Sequence, residues 1–417
     1  MKPVTVMILG AGNRGTGYAR YAAELPDRAK IVAVAEPRDA YRNPMVEAHG
    51  IDPANVMTDW VQAIDRPRLA DAVLICMPDA MHAQPTIEMA KKGYHIMVEK
   101  PMAPTADECR AMVDEVKKAG VIFAVGHVMR YTRYTRTLKK LVDEGAVGDV
   151  VSIHHLESVG WWHQAHSYVR GNWRNEAESS SMLLAKSCHD LDWLRYIMKT
   201  SCLRCHSFGS LHLFKKENKP AGAGMRCMDC AIEPECAYSA KKIYLGRIAK
   251  GQTGWPLDVL APVVNKESIT QALIDGPYGR CVYECDNDVV DHQVVDMEFD
   301  GGQTASFTMT AFNKGGGRKT NVFGTKGEIY GDGSRIELFD FLTEKKTEVD
   351  LDSADASILG GHGGGDFGLM DGFISAVSSG DRSHILSGPD ETLESHLMVF
   401  AAERARKEGC VVEVSEA

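Results

Sequence analysis

Residues 4–25 read "VTVMILGAGNRGTGYARYAAEL". The first six positions are β-branched or long apolar residues, the composition of a strand buried on both faces. A helix-forming run begins near Arg14. Between the two, Gly10, Gly12 and Gly15 have the spacing GxGxxG. In such a turn the first glycine makes the tight bend and the second lets main chain approach a pyrophosphate. The third lets the helix pack closely on the strand, and the helix N terminus faces negative charge. Asn13 and Arg14 stand at that N terminus. The stretch predicts a dinucleotide-binding Rossmann unit.

The next strand, "KIVAVAE", ends in Glu36, where an acidic residue would accept hydrogen bonds from the adenosine ribose. A carboxylate there disfavours a 2′-phosphate, so NAD is expected ahead of NADP, while Arg38 keeps the second open. "ADAVLICMP", "YHIMVEKP" and "VIFAVGHVMRY" read as further strands, with a helix at 106–119 before the last. Strands alternating with helices make a doubly wound parallel sheet. The expected organisation is a Rossmann domain over 1–125 and a second domain over 126–417.

The whole chain agrees with two domains, since 417 residues exceed one ordinary core. Hydrophobic residues at 44% and charged ones at 25% are those of a soluble globular protein, and no apolar run nears the ~20 residues of a membrane span. The amino terminus lacks the pattern of a secretory signal, so a cytoplasmic location is expected. A net charge of -10 excludes a nucleic-acid backbone as the main partner.

"MPDAMH" (77–82), "VEKP" (98–101), "GHVMRY" (126–131), "CHDLDWLRY" (188–196) and "GTKGEIYGD" (324–332) resemble the glucose-fructose oxidoreductase and inositol dehydrogenase family, Gfo/Idh/MocA. The resemblance covers most of the chain apart from about 200–285, which is expected to be a cysteine-rich insertion in the second domain. It implies an α/β protein: the Rossmann domain, then an α+β domain whose open, largely antiparallel sheet floors a substrate cleft and often forms an oligomer interface. A homo-oligomer, dimer or tetramer, is therefore expected. The implied chemistry is hydride transfer between NAD(P) and a secondary hydroxyl of a sugar, sugar derivative or cyclitol. Pro78, His82, Glu99 and Lys100 are expected at the cofactor, and Arg130 and Tyr131 at the substrate. Lys100, past a strand end and fixed by the following proline, belongs at the carboxyl edge of the sheet, where ligands bind. It is the expected partner of the reacting hydroxyl.

A base must remove the hydroxyl proton, and His189 has the chemistry for it. In the family pattern DxGxH this histidine follows an aspartate by four residues. Here that position is Ala185, although His189 and Asp192 are kept. Lys186 is the neighbouring ionisable group and is expected to reach the substrate instead. Two lysines and a histidine close together would lower one another's pKa values by like-charge repulsion. "SVGWWHQAHSYVRGNWRN" (158–175) suits a sugar pocket, with Trp161, His163 and Arg174 as candidate contacts beside Asp192. "GGHGGGDFGLMDGF" (360–373) is a glycine turn entering a helix, from which His362 and Asp366 would close the far side.

Eight of the eleven cysteines fall between Cys188 and Cys285. "RCMDCAIEPECAY" (226–238) holds Cys227, Cys230 and Cys236, a CxxC with a third thiol close by. A closed structural zinc site needs four ligands. Cys281 is the first choice for the fourth, with Cys285, Cys202, Cys205 and His206 behind it. The surrounding segment is polar and rich in glycine, so an ion would serve to order it. An iron–sulfur cluster or free thiols are the other readings.

The leading function is an NAD(P)-dependent oxidoreductase of a sugar or polyol. The alternatives are an NAD-dependent glycoside hydrolase working through transient C3 oxidation and elimination, and a non-catalytic cofactor-sensing scaffold.

Overall fold

The computed structural model describes residues 2–351 and 361–417, with main chain alone at 361 and 362. Six strands form the first sheet: β1 (Val4–Leu9), β2 (Ala29–Ala35), β3 (Val56–Met57), β4 (Ala72–Ile75), β5 (His95–Val98) and β6 (Phe123–Val125). They are all parallel in the order β3-β2-β1-β4-β5-β6. Along β1, Val6 and Ile8 enter one core while Met7 and Leu9 enter another on the opposite face. That is why the strand reads as an unbroken apolar run. The helix expected over 106–119 spans Ala106–Ala119, capped by the Thr105 side chain and stopped by left-handed Gly120. Strand order reverses beside β1, which places a crevice at the carboxyl ends of β1 and β4.

The second sheet holds β7 (Val150–Ser158), β8 (Cys202–Ser210), β9 (His292–Phe299), β10 (Thr304–Thr310), β11 (Gly317–Gly324), β12 (Gly327–Gly331), β13 (Ile336–Asp340), β14 (Lys345–Val349) and β15 (Val412–Glu413). Their order is β14-β13-β12-β11-β7-β10-β9-β8-β15. Only β7 and β10 pair in parallel, so the sheet is mixed and largely antiparallel. Its strands alternate buried and exposed positions, the signature of one covered face. Helices Cys188–Met198 and Pro389–Glu408 cover that face through Leu191, Trp193, Met398 and Ala402. Val151 and Phe208 are exposed.

The chain then returns to the first domain. In helix Gly365–Ser379, Leu369, Met370, Phe373 and Ile374 join the core that holds Val6 and Ile8. Residues 202–210, expected within the cysteine-rich insertion, instead form β8. Cys202 and Cys205 are buried in the core of the second sheet, and burial pushes the Cys205 thiol up to about 12. The insertion proper runs from the end of β8 to β9 and builds its own core around Phe214, Tyr244, Leu257, Ile269 and Leu273. No helix among the described residues is long and apolar enough to cross a membrane.

Candidate active site

The glycine turn leaves a cradle at the carboxyl end of β1. Gly10 has φ +92°, and a Cβ there would stand 2.7 Å from the Cys76 carbonyl oxygen. One on Gly15 would stand 2.0 Å from the Gly10 carbonyl. These two glycines let the turn close on itself. At Gly12 the nearest atom to an added Cβ is the Arg38 guanidinium at 3.5 Å, so this main chain faces open space. Asn13 is exposed at the start of the helix and Pro78 is exposed just past β4. A dinucleotide's phosphates fit a cradle of this kind.

Glu36 borders the cradle. Its carboxylate accepts from the Ala11 amide at 2.9 Å and from Arg38 Nε at 2.6 Å. Burial works to raise its pKa, but the bonds from Arg38 outweigh it and hold the group ionised. The Arg38 guanidinium lies 4.2 Å over the Tyr41 ring. Arg14, expected towards the cofactor, turns beneath it: Nε donates to Glu99 at 2.7 Å and the guanidinium to Asp366 at 2.8 Å. Glu99 also accepts from Tyr18 at 2.6 Å and from the Lys100 amide at 3.0 Å. Despite burial its pKa is lowered, chiefly by Arg14 and Lys100. Asp366 therefore approaches through Arg14, while the side chain of His362 lies outside the described residues.

Lys100 leaves β5 before a cis peptide bond to Pro101, and its Nζ donates to the Ala185 carbonyl at 2.8 Å. The position that carries a carboxylate in the family pattern thus offers its main-chain oxygen. Ala185 and Lys186 lie in a π-helical turn, Leu183–Ser187, a distortion frequent at functional sites. It feeds helix Cys188–Met198, with His189 in the first turn and nearly buried. The His189 ring is 5.7 Å from that of His127, whose pKa burial lowers to about 3.

Of the three groups expected to repel one another, Lys186 meets a carboxylate. Lys186 Nζ is 3.2 Å from Glu157, which is buried on β7. Sheet register sets Glu157 opposite Arg318 and His155 opposite Thr320. Arg318 also pairs with Asp190, which is 3.0 Å from His155. Burial opposes ionisation of Asp190, but Arg318 and His155 hold its pKa below the usual carboxylate range. The group that feels both lysines is His163. Its pKa is lowered well below that of a free histidine, first by burial and then by Lys186, with His166 and Lys100 adding to it. His163 is neutral at physiological pH.

Six expected ligand contacts are engaged elsewhere. Arg130 donates twice to Asp192, at 2.7 and 2.6 Å, and Asp192 also accepts from Ser395. Both charges are buried, and the pair braces helix 188–198. Tyr131 is held by Leu386 and Ser387. His82, also buried, has its ring nitrogens 2.8 Å from the Pro101 and Met77 carbonyls, which ties together the loops after β4 and β5. Arg174 is paired with Asp286 at 2.9 Å. Trp161 packs on Tyr238 of the insertion.

Cys227, Cys230, Cys236 and Cys281 all line one cavity of about 20 Å³. Yet no three His, Cys, Asp or Glu side chains among the described residues are grouped so as to hold a metal ion, so the expected zinc site is not formed as the thiols stand. The Cys230 sulfur accepts from the Gly224 amide at 3.3 Å and the Cys227 sulfur from buried Arg170 at 3.5 Å. Burial raises the thiol pKa values of Cys236 and Cys281.

Residues 4–127 match the model of the oxidoreductase family with an NAD-binding Rossmann fold, and 135–223 match the GFO/IDH/MocA C-terminal domain. The 2,7-anhydro-N-acetylneuraminate hydratase of Escherichia coli is 30% identical over 191 residues, 46% of this chain and 48% of that protein. The levoglucosan dehydrogenase of Pseudarthrobacter phenanthrenivorans is 30% identical over 208 residues, 48% of this chain and 52% of that protein. The matched region thus spans about half the length of these curated relatives. A solved levoglucosan dehydrogenase in complex with NADH and levoglucosan superposes with TM-score 0.71 at 19% identity, covering 99% of this chain and 100% of that one. At that identity the likeness is one of fold.

Proposed function

The chain belongs to the Gfo/Idh/MocA oxidoreductase family, and from that premise we propose that it is an NAD(P)-dependent oxidoreductase of a sugar, sugar derivative or cyclitol. One observation carries this reading: Lys100 of the first domain is hydrogen-bonded to Ala185, one turn before His189 of the second. Gly10, Gly12 and Gly15 would hold the pyrophosphate and Glu36 the adenosine ribose. The nicotinamide, when bound, supplies the hydride acceptor. Lys100 orients the substrate hydroxyl and stabilises the oxygen as the carbonyl forms. His189 takes the hydroxyl proton, so the carbon loses a hydride and the oxygen a proton together. Lys186, held by Glu157, fixes a further hydroxyl.

A redox-neutral reading has its own support. Ala185 replaces the carboxylate of the family triplet, and a relative carries the name of a hydratase. In that case hydride returns after elimination and addition of water. Incubation with NAD and a panel of polyols and aryl glycosides separates the two. Steady absorbance at 340 nm identifies a dehydrogenase, and aglycone release without it identifies a lyase or hydrolase. Neither signal from any compound would contradict both.

Two finer assignments accompany this reading. The exposed residues Val151, Leu203 and Phe208 on the second sheet support a dimer or tetramer. The four thiols on one cavity, Cys227, Cys230, Cys236 and Cys281, are the residues that would hold a structural zinc as thiolate ligands and let it order the insertion.

A further inference from the structure

Trp255 belongs to the insertion and lies beyond both family-matched segments. Two residues later Leu257 is fully buried in the insertion's own core and pins the chain. Trp255 itself remains 44% exposed. Its inner side packs edge-on against His163, with centroids 4.9 Å apart, and against His166 at 5.3 Å. It also meets Trp162 at 5.2 Å, and Trp162 is clamped by the Arg247 guanidinium 4.1 Å over its ring. An indole fixed on three rings and open on its outer side is a rigid platform. His163 connects it to the cleft: its ring stands 5.8 Å from that of Tyr168, Tyr168 meets Trp173 at 6.2 Å, and the Trp173 indole donates to Asp79, just past β4, at 3.2 Å.

Resting on the reading of the cleft as a sugar site, we propose that Trp255 is a specificity-determining platform for the part of the substrate beyond the reacting ring. The substrate class is then a disaccharide or similar glycoside rather than a free monosaccharide. Sugar rings present C–H groups on one face, and these match an aromatic face, while hydroxyls at the ring edge stay in water. The lysines engage the reacting ring, and the second ring reaches the platform past His163. The insertion in this way adds a distal subsite to a cleft whose reacting centre is built from the two family domains.

The test is calorimetric titration of the full-length, NADH-saturated protein with cellobiose, maltose and lactose and with methyl glucosides and galactosides. The parent should bind at least one disaccharide more tightly than its methyl monoglycoside. Trp255→Ala should weaken that disaccharide about tenfold, with the monoglycoside changed less than about twofold, and Trp255→Phe should keep most of the affinity. Unchanged disaccharide binding in Trp255→Ala, or a parent with no preference for any disaccharide, overturns the assignment. The expected pattern without hydride transfer leaves the platform standing and sinks the dehydrogenase reading instead.

Discussion

The Lys100 ammonium donates to the Ala185 carbonyl across the two domains, 2.8 Å away. A lysine held by a main-chain oxygen keeps its position when the side chain of its partner changes, so loss of the family carboxylate at 185 leaves Lys100 in place. His189 follows on the same helical run. Replacement of that carboxylate by alanine is therefore compatible with Lys100 staying beside the turn that leads to His189.

The three glycines of the first turn separate folding from binding. Gly15→Ala sets a Cβ 2.0 Å from the Gly10 carbonyl and should lower the apoprotein's thermal midpoint, in line with overpacking costs of roughly 1–3 kcal/mol. Gly12→Ala meets nothing closer than 3.5 Å in the protein, so it should leave the stability within about 0.5 kcal/mol of the parent and weaken NADH binding at least about tenfold. Differential scanning calorimetry beside NADH fluorescence titration reads both.

Glu36 holds Arg38 at the edge of the cradle. Glu36→Ala removes the proposed ribose acceptor and frees a guanidinium that could meet a 2′-phosphate. The ratio of NAD to NADP affinity should fall by about ten- to a hundredfold, the worth of one or two charge-assisted hydrogen bonds. Titration with both reduced cofactors measures it, and an unchanged ratio would place the ribose elsewhere.

Stability should fall as pH drops below the ordinary histidine value. Burial first lowers the pKa of His127 and His166 to about 3 and that of His396 to about 4. Between the unfolded value of 6.5 and those folded values only the unfolded chain takes up these protons. Each histidine then removes about 1.4 kcal/mol per pH unit. Urea midpoints measured from pH 7 to 4.5 should decline steadily, and a flat profile would show these rings to be solvated.

A structural ion in the insertion has a measurable stoichiometry. Protein purified under reducing conditions should carry about one zinc per chain, and chelation should make Cys227, Cys230, Cys236 and Cys281 reactive to a thiol reagent. Replacing Cys236 with Ser should make the remaining three, Cys227, Cys230 and Cys281, reactive in the same way. Metal-free protein with the same thiol reactivity before and after chelator would leave the cavity an ordinary cluster of thiols.

How far the sequence could be read depended on the range of each interaction. The GxGxxG turn and the helix over 106–119 rest on neighbours a few residues apart, and both stand where the sequence places them. Arg130 and Asp192 sit in motifs that imply a ligand. In the fold they pair with each other across 62 residues, and nothing local announces a buried pair. Glu157 escaped notice although β7 carried a signal. Ile153, His155, Glu157 and Val159 occupy successive inward positions, and two of them are polar, which marks a buried network. Which residues complete it depends on the register with β11, and register is not local. Trp255 reaches His163 only through the folding of the insertion around Leu257, outside any motif.

The central claim concerns hydride movement between a sugar carbon and nicotinamide under the control of Lys100. It is tested most directly with a sugar deuterated at its ring carbons, mixed with stoichiometric enzyme and NAD in a rapid quench, with the label on the nicotinamide read by mass spectrometry. The parent should place deuterium on nicotinamide C4 in a single turnover. Lys100→Met should bind NAD equally well and transfer the label slower by about a hundredfold or more. Label arriving at the parental rate in Lys100→Met, or never arriving in a parent that binds both ligands, would contradict the account.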